Sequence, residues 1–207
     1  MLDKVNNYYR SNLSSLPFGK RFHFGSRVWL WSQDEEMANF LRSVRAEFCC
    51  DGNLEQLNDT LTTVINTPMQ DFGAKNAATE RKPYFEKYPL LRQSLLAMFR
   101  LLFTKTIYGI DSRVLLANHF DISELDEMEK RLIGDKDALS TLSTHAVNFL
   151  YLYNRFYKSN DNGIAVDFLL SHAETMDTSS NLDLLLYIYF VTHCVIGESL
   201  FYKRHIP

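Results

Sequence analysis

Residues 89–109, PLLRQSLLAMFRLLFTKTIYG, carry the pattern that decides the fold. Pro89 suits the first turn of a helix, where its missing amide would have no partner anyway. Leucine and phenylalanine then recur at helical spacing as far as Gly109. The segment is apolar on nearly every side, which is typical of a helix buried at the centre of a protein. It therefore predicts a central α-helix.

The same spacing continues on both sides of this segment. Ser32 with Glu35, and Ser180 with Asp183, are spaced to cap helix starts. Further helices are predicted over 2–13, 32–50, 54–67, 111–120, 123–134, 138–158, 164–176 and 181–203. The chain is thus predicted to be all-α, a single domain over residues 1–207. Its architecture would be a multi-helix bundle or a solenoid- or toroid-like array of helical hairpins, with about eight or nine helices.

Two stretches, 14–31 and 67–88, are predicted to be long connections, the second with room for one short helix. Within the first, residues 22–31 (FHFGSRVWLW) begin with a strand-like alternation, but no partner strand is evident. The same stretch mixes basic and aromatic residues. It would suit phosphates and stacked bases, a membrane surface or a partner, or its aromatic residues simply cover the helical core.

Two short sequence patterns occur twice in the chain. Thr-His-x-Val occurs at 144–147 and at 192–195, and Phe-Tyr-Lys follows at 156–158 and 201–203. A spacing of this size would fit a helical-hairpin repeat. Chance and shared helical composition explain it as well.

Composition excludes several classes of protein. The net charge of −3 argues against a protein that grips nucleic acid through its phosphates, so nucleic acid is not expected as a partner. Three cysteines, two of them adjacent, do not form a disulfide framework and favour a reducing compartment. The longest apolar run, 184–191, is too short to span a membrane. These features predict a cytoplasmic protein without a transmembrane segment.

His145 and His193 are the candidate functional residues, each placed by helical spacing among apolar neighbours. A buried imidazole needs a polar partner. The pair would converge as catalytic acid–base groups, with Glu198, or as metal ligands. Otherwise they are two separate core histidines. Candidates for binding a ligand are Tyr153, Tyr157, Tyr189 and Asp183.

Two functions remain open. The first is a helical module that binds a protein or peptide without catalysing a reaction. The alternative is an enzyme, or a protein that binds a small ligand or metal, with a pocket between helices 138–158 and 181–203. The absence of common catalytic motifs favours the non-enzymatic reading and indicates no cofactor. An aromatic-rich helical protein can also form a homodimer, although the sequence does not locate an interface.

Overall fold

The computed structural model describes residues 2–67, 77–159 and 166–201, and within them the protein is all-α, as predicted. Twelve α-helices lie in these ranges, and no strand does. In chain order, α1 to α12 are Leu2–Ser11, Phe18–Ser32, Glu35–Phe48, Leu54–Asn66, Ala78–Lys87, Leu91–Tyr108, Arg113–His119, Ile122–Gly134, Lys136–Leu142, Thr144–Tyr151, Val166–Ala173 and Asn181–Glu198. The three helices beyond the predicted nine come from the two supposed connections and from a break in 138–158.

The predicted connection at 14–31 is wrong, because most of it forms α2. Its strand-like alternation is overridden by packing against α3. Gly25 and Ser26 are buried, and a Cβ atom on Gly25 would lie 3.1 Å from side-chain atoms of Phe40 and Leu41. Two small residues therefore let these helices approach closely, a tertiary effect that a local pattern does not reveal. Asp34, not Ser32, caps α3, since its carboxylate accepts a hydrogen bond from the Met37 amide at 3.2 Å.

In the second predicted connection, 67–88, the one short helix that the sequence allowed is present. Residues 68–76 lie outside the described ranges, but 78–87 form α5. Only Arg81 and Phe85, one turn apart, are buried on this polar helix. Such a narrow buried edge leaves almost no periodic signal in the sequence.

The long helix predicted over 138–158 is broken at Ser143, whose φ of 43° lies outside the helical region. The chain ends α9 there, restarts as α10, and continues as a π-helical segment over Leu152–Tyr157. The cap predicted for the last helix is present: Ser180 Oγ accepts a hydrogen bond from the Asp183 amide at 3.1 Å. That helix ends at Glu198 rather than 203, and residues 202–203 lie outside the described part.

The main hydrophobic core forms around α6 and α10. Residues 146–151 of α10 are all buried, and α10 packs on α6, α9 and α12. The helix quoted at the outset, α6, contacts α3, α4, α7 and α10. Its Leu96 is nevertheless 39% exposed, so one edge of this helix reaches the surface. Among the helices described, none is both long and apolar enough to cross a bilayer.

Candidate functional site

A cleft of about 780 Å³ opens between α2, α6, α10 and α12. Small-molecule sites commonly have volumes of roughly 300–1,000 Å³. The surrounding side chains are Lys20, Phe22, His23, Phe24 and Arg27 of α2; Leu96, Phe99 and Phe103 of α6; Thr144, His145 and Asn148 of α10; and Tyr189, His193 and Ile196 of α12. Tyr9, Phe48, Arg81 and Phe201 complete the lining.

Part of the cleft wall is aromatic. Phe22 of α2 packs edge-to-face on Phe103 of α6, with ring centroids 5.3 Å apart. Phe99 and Phe201 form a second edge-to-face pair at 4.8 Å. These geometries are the ones that aromatic rings prefer, and they give the wall a defined shape. The cleft can therefore receive an apolar ring or chain.

Both predicted histidines line this one cleft, so the structure does bring them together. In His193, Nδ1 lies 2.9 Å from Oδ1 of the buried Asn148. Because an amide oxygen only accepts hydrogen bonds, Nδ1 carries the proton and Nε2 is left as an acceptor. Burial lowers the pKa of this imidazole to about 4, and three basic neighbours act in the same direction: His23, Arg27 and Arg81. It is therefore neutral at pH 7.

His145 lies in the first turn of α10, half-buried and packed edge-to-face with Phe85, with ring centroids 5.0 Å apart. Its Nδ1 atom is buried and makes no well-aligned hydrogen bond within the described residues, although the Leu142 carbonyl lies near enough to the ring to act as an acceptor. Burial lowers the pKa of His145 to about 3; the charge of Arg81 adds to this effect, and the Leu142 carbonyl opposes it. This imidazole too is neutral at pH 7.

Arg81 contributes a buried positive charge to the cleft. Only 3% of its surface is exposed, and its Nε donates a hydrogen bond to the Thr141 carbonyl at 3.1 Å. Its Nη2 is buried without a hydrogen-bond partner in the described part of the chain. Burial lowers the pKa of the guanidinium, but arginine remains charged at any physiological pH. A buried cation without a counter-ion is costly, which marks this position.

Lys20, His23 and Arg27 recur at i, i+3 and i+7 and form one basic stripe of α2, which faces the cleft. His23 keeps more than a third of its surface accessible. Burial of the rest of the ring lowers the pKa of His23, and the charges of Arg27 and Lys20 lower it further. Of the three basic residues that the sequence offered in this stretch, Lys20 and Arg27 thus belong to the cleft wall, whereas Arg21 pairs with Glu47.

The lining contains no aspartate or glutamate from the described residues. Lys20, Arg27 and Arg81 likewise form no ion pair with a described carboxylate. The first turn of α10, at Thr144 and His145, also opens onto the cleft, and a helix N-terminus carries partial positive charge. The electrostatic character of the cleft is therefore positive.

The other predicted site residues do not all lie here. Tyr189 lines the cleft, 36% exposed. Glu198 instead pairs with Arg155 and accepts a hydrogen bond from the Tyr151 hydroxyl at 3.0 Å. The remaining three have other partners: Tyr153 donates to Asp126, Tyr157 stacks on the Tyr153 ring, and Asp183 belongs to the cap of α12.

Three contributors were not singled out from the sequence: Arg81, Asn148 and Thr144. Asn148 lies one turn after Thr144 and next to the face of His145, so helical spacing could have found it. Arg81 offered no such signal, because hydrophobic spacing does not locate its helix. No cluster of three or more histidine, cysteine or acidic side chains suited to a metal ion occurs in the ranges described, so His145 and His193 lack further ligands of these types.

Neither protein-family models, nor curated proteins, nor solved structures give a significant match to this chain. The function must therefore be argued from the chemistry of the cleft.

Proposed function

We propose that the protein binds a small organic anion, with an apolar body, in the cleft between α2, α6, α10 and α12. The observation that carries this proposal is the buried Arg81 guanidinium, whose Nη2 has no partner and which has no carboxylate beside it among the described residues. Of the two functions that the sequence left open, this is the small-ligand one.

The energetics of the cleft favour an anion. A buried donor left without an acceptor costs about 1–3 kcal/mol, and more when the donor is charged. An anionic group placed against Arg81 supplies that acceptor, and the N-terminus of α10 adds to the attraction. Charge-assisted hydrogen bonds of this type are the strong ones in proteins. The phenylalanine walls then contact the rest of the ligand, and removing its apolar surface from water favours binding.

Fluorescence of a bound dye tests the proposal. The probe is 8-anilinonaphthalene-1-sulfonate, compared with the neutral N-phenyl-1-naphthylamine, which has the same rings without the sulfonate. The full-length protein should bind the sulfonate more tightly, and Arg81→Gln should weaken sulfonate binding at least about tenfold, the loss of roughly one charged hydrogen bond.

Arg113→Gln is the matched control, since Arg113 pairs with Asp111 outside the cleft and its loss should leave binding unchanged. Thermal unfolding of each variant shows that it is folded, so that dye binding to exposed core is excluded. Equal binding of the charged and neutral dyes, or undiminished sulfonate binding by Arg81→Gln, would contradict the proposal.

The protein- or peptide-interaction module stays a prediction. One observation favours it: α12 exposes apolar side chains, with Leu184 43%, Ile188 49% and Val195 55% accessible. These three recur at i, i+4 and i+11 and so share one face of α12, but an exposed apolar face does not by itself identify a partner. A buried unpaired charge is the rarer feature, and the proposal follows it.

A further inference from the structure

We infer that the ligand is a monocarboxylate, held with its carboxylate against Arg81 and His145 and its apolar body along the phenylalanines of α6. This inference rests on the proposed function and names the substrate class of the same site. Three features of the cleft lead to it: how Arg81 is anchored, how much charge lies beside it, and where the exposed cations are.

The anchoring of Arg81 fixes which of its donors are available. Its Nε is already bonded to the Thr141 carbonyl, so the guanidinium is held by one edge. The Nη atoms remain, and Nη2 has no partner among the described residues. Two N–H groups on one edge of a planar guanidinium match the two oxygens of a planar carboxylate. Nδ1 of His145, which makes no well-aligned hydrogen bond among the described residues, can donate to the same group when it carries the proton.

Among the described residues that line the cleft, the fully buried charge is the +1 of Arg81; Arg92, which also acts on His145, is partly exposed to water. Arg81 is positive, whereas His145 and His193 are both neutral at pH 7, because burial holds their pKa values at about 3 and about 4. A carboxylate carries one negative charge and balances the guanidinium. A phosphate monoester carries about −1.5 to −2 at this pH. It would leave excess negative charge buried, or else force a proton onto an imidazole that strongly resists one.

The other two cations do not alter this balance. Lys20 and Arg27 are exposed on α2, where water solvates them without a counter-ion. They raise the local concentration of any anion near the cleft. The apolar half of the lining includes Leu96, Phe99 and Phe103 of α6, which is where the body of the ligand can leave water. A single buried positive charge beside an apolar wall suits a ligand with one negative charge and an apolar body.

Calorimetry with matched ligands tests this inference on the full-length protein at about pH 7.5. One set is decanoate, decyl phosphate and decanol; the other is 1-naphthoate, 1-naphthyl phosphate and 1-naphthol. At least one carboxylate should bind about tenfold or more tightly than its phosphate and alcohol counterparts. Arg81→Lys keeps the charge but loses the fork, and it should weaken that carboxylate about tenfold. Arg113→Lys is the control.

The outcomes separate the two proposals. Phosphates that bind as tightly as carboxylates, or carboxylates that fail to bind while the naphthalene sulfonate dye still depends on Arg81, overturn the monocarboxylate inference and leave anion binding intact. Alcohols that bind as tightly as both acids overturn anion binding itself. Unchanged carboxylate affinity in Arg81→Lys would also overturn the monocarboxylate inference, because it would show that the paired N–H groups of the guanidinium do not hold the carboxylate.

Discussion

The continuous stretch of α10 and its π segment carries two polar regions of opposite character. On one side, His145 and Asn148 face the cleft, where positive charge has no acidic partner among the described residues. On the other lies a paired cluster, formed by Asp126, Glu129, Tyr153, Asn154 and Lys158. Lys158 there bridges both carboxylates, and Asn154 donates to Glu129.

The difference between the two regions lies in the balance of charge rather than in burial. Glu129 is as buried as many core residues, 6% exposed, yet its charge is matched by hydrogen bonds and a lysine. Arg81 is equally buried and has no such match. A satisfied buried charge becomes costly only when one of its partners is removed, whereas an unsatisfied one lowers stability until a ligand arrives. Polar residues in this protein are therefore best sorted by their partners.

The largest effect should come from breaking the paired cluster. Glu129→Ala removes one of the two acceptors of the Asn154 amide and of the Lys158 ammonium, which keep the Leu150 carbonyl and Asp126 respectively. It should lower the free energy of unfolding by roughly 2–3 kcal/mol, because two charge-assisted hydrogen bonds are lost. Arg81→Met should do the opposite, leaving stability unchanged or raising it by roughly 1 kcal/mol. Urea unfolding of both variants measures this, and losses of equal size would erase the contrast between the two regions.

Acid should destabilise the protein through the cleft. Above about pH 6.5 the imidazoles of His145 and His193 are neutral in both the folded and the unfolded chain. As the pH falls below that value, the unfolded chain takes up protons first, because the folded pKa values are lowered to about 3 and about 4. The free energy of unfolding should therefore fall, by roughly 1–3 kcal/mol between pH 6.5 and 5, after allowing for the partial exposure of both rings.

Urea unfolding at a series of pH values tests this acid effect. The basic groups that oppose protonation of the two imidazoles lie on four elements. They are His23 and Arg27 on α2, Arg81 on α5, Arg92 on α6, and His193 on α12, which acts on His145. His145→Gln with His193→Gln should flatten the curve over this range. Carboxyls with a lowered pKa, such as Asp111 at about 2, lose their charge at lower pH. A double variant as acid-sensitive as the native chain would assign the effect elsewhere.

A carboxylate placed in the cleft should make it resemble the paired cluster. In Asn148→Asp, the new carboxylate faces Nδ1 of His193, and an adjacent opposite charge favours the protonated imidazole. The pKa of His193 should rise from about 4 by roughly 1–3 units. Nuclear magnetic resonance titration of the imidazole signals measures it. Asn148→Leu, without the charge, should not raise the pKa; a rise there would show that loss of the hydrogen bond, and not charge, controls it.

The smallest effect should come from the exposed stripe of α2. Lys20→Gln with Arg27→Gln should slow association of the naphthalene sulfonate dye roughly two- to fivefold at low salt, with little change at high salt, because solvated charges steer ligands and are screened by ions. Stopped-flow fluorescence measures the rate. Arg42→Gln with Lys130→Gln removes two exposed charges outside the cleft and serves as the control. A salt-independent loss of affinity would instead give the stripe a direct contact with the ligand.

The sequence predicts the part of this site that periodicity controls. His145 and His193 fall at helical spacings that bury apolar neighbours, so their convergence on one cleft was among the expected outcomes. Arg81 could not be found in this way, because a ten-residue helix with two buried positions has almost no apolar pattern. The fold class was predictable because long apolar stripes are visible in the sequence. The helix count was not, because α2 and α5 lack such stripes and form through packing against α3 and α9 respectively.

Other candidate residues from the sequence have partners outside the cleft. Glu198 was a reasonable catalytic candidate by composition, but Arg155 and Tyr151 both contact its Oε1 atom, away from the cleft. Tyr153 and Tyr157 fall on the π segment, which rotates them toward the paired cluster. A π-helical turn adds one residue to the normal period, and no propensity scale places it. The interior break at Ser143 is equally invisible to hydrophobic spacing.

That break has a consequence for how the cleft holds its arginine. In an uninterrupted helix the Thr141 carbonyl would be engaged by the amide four residues later. Ending α9 at Leu142 leaves such carbonyls free for other donors, and Arg81 takes this one. The anchor is thus main chain rather than side chain, and no substitution at Thr141 alone can remove it. Repairing the helix across Ser143 would withdraw the anchor while every side chain lining the cleft kept its identity.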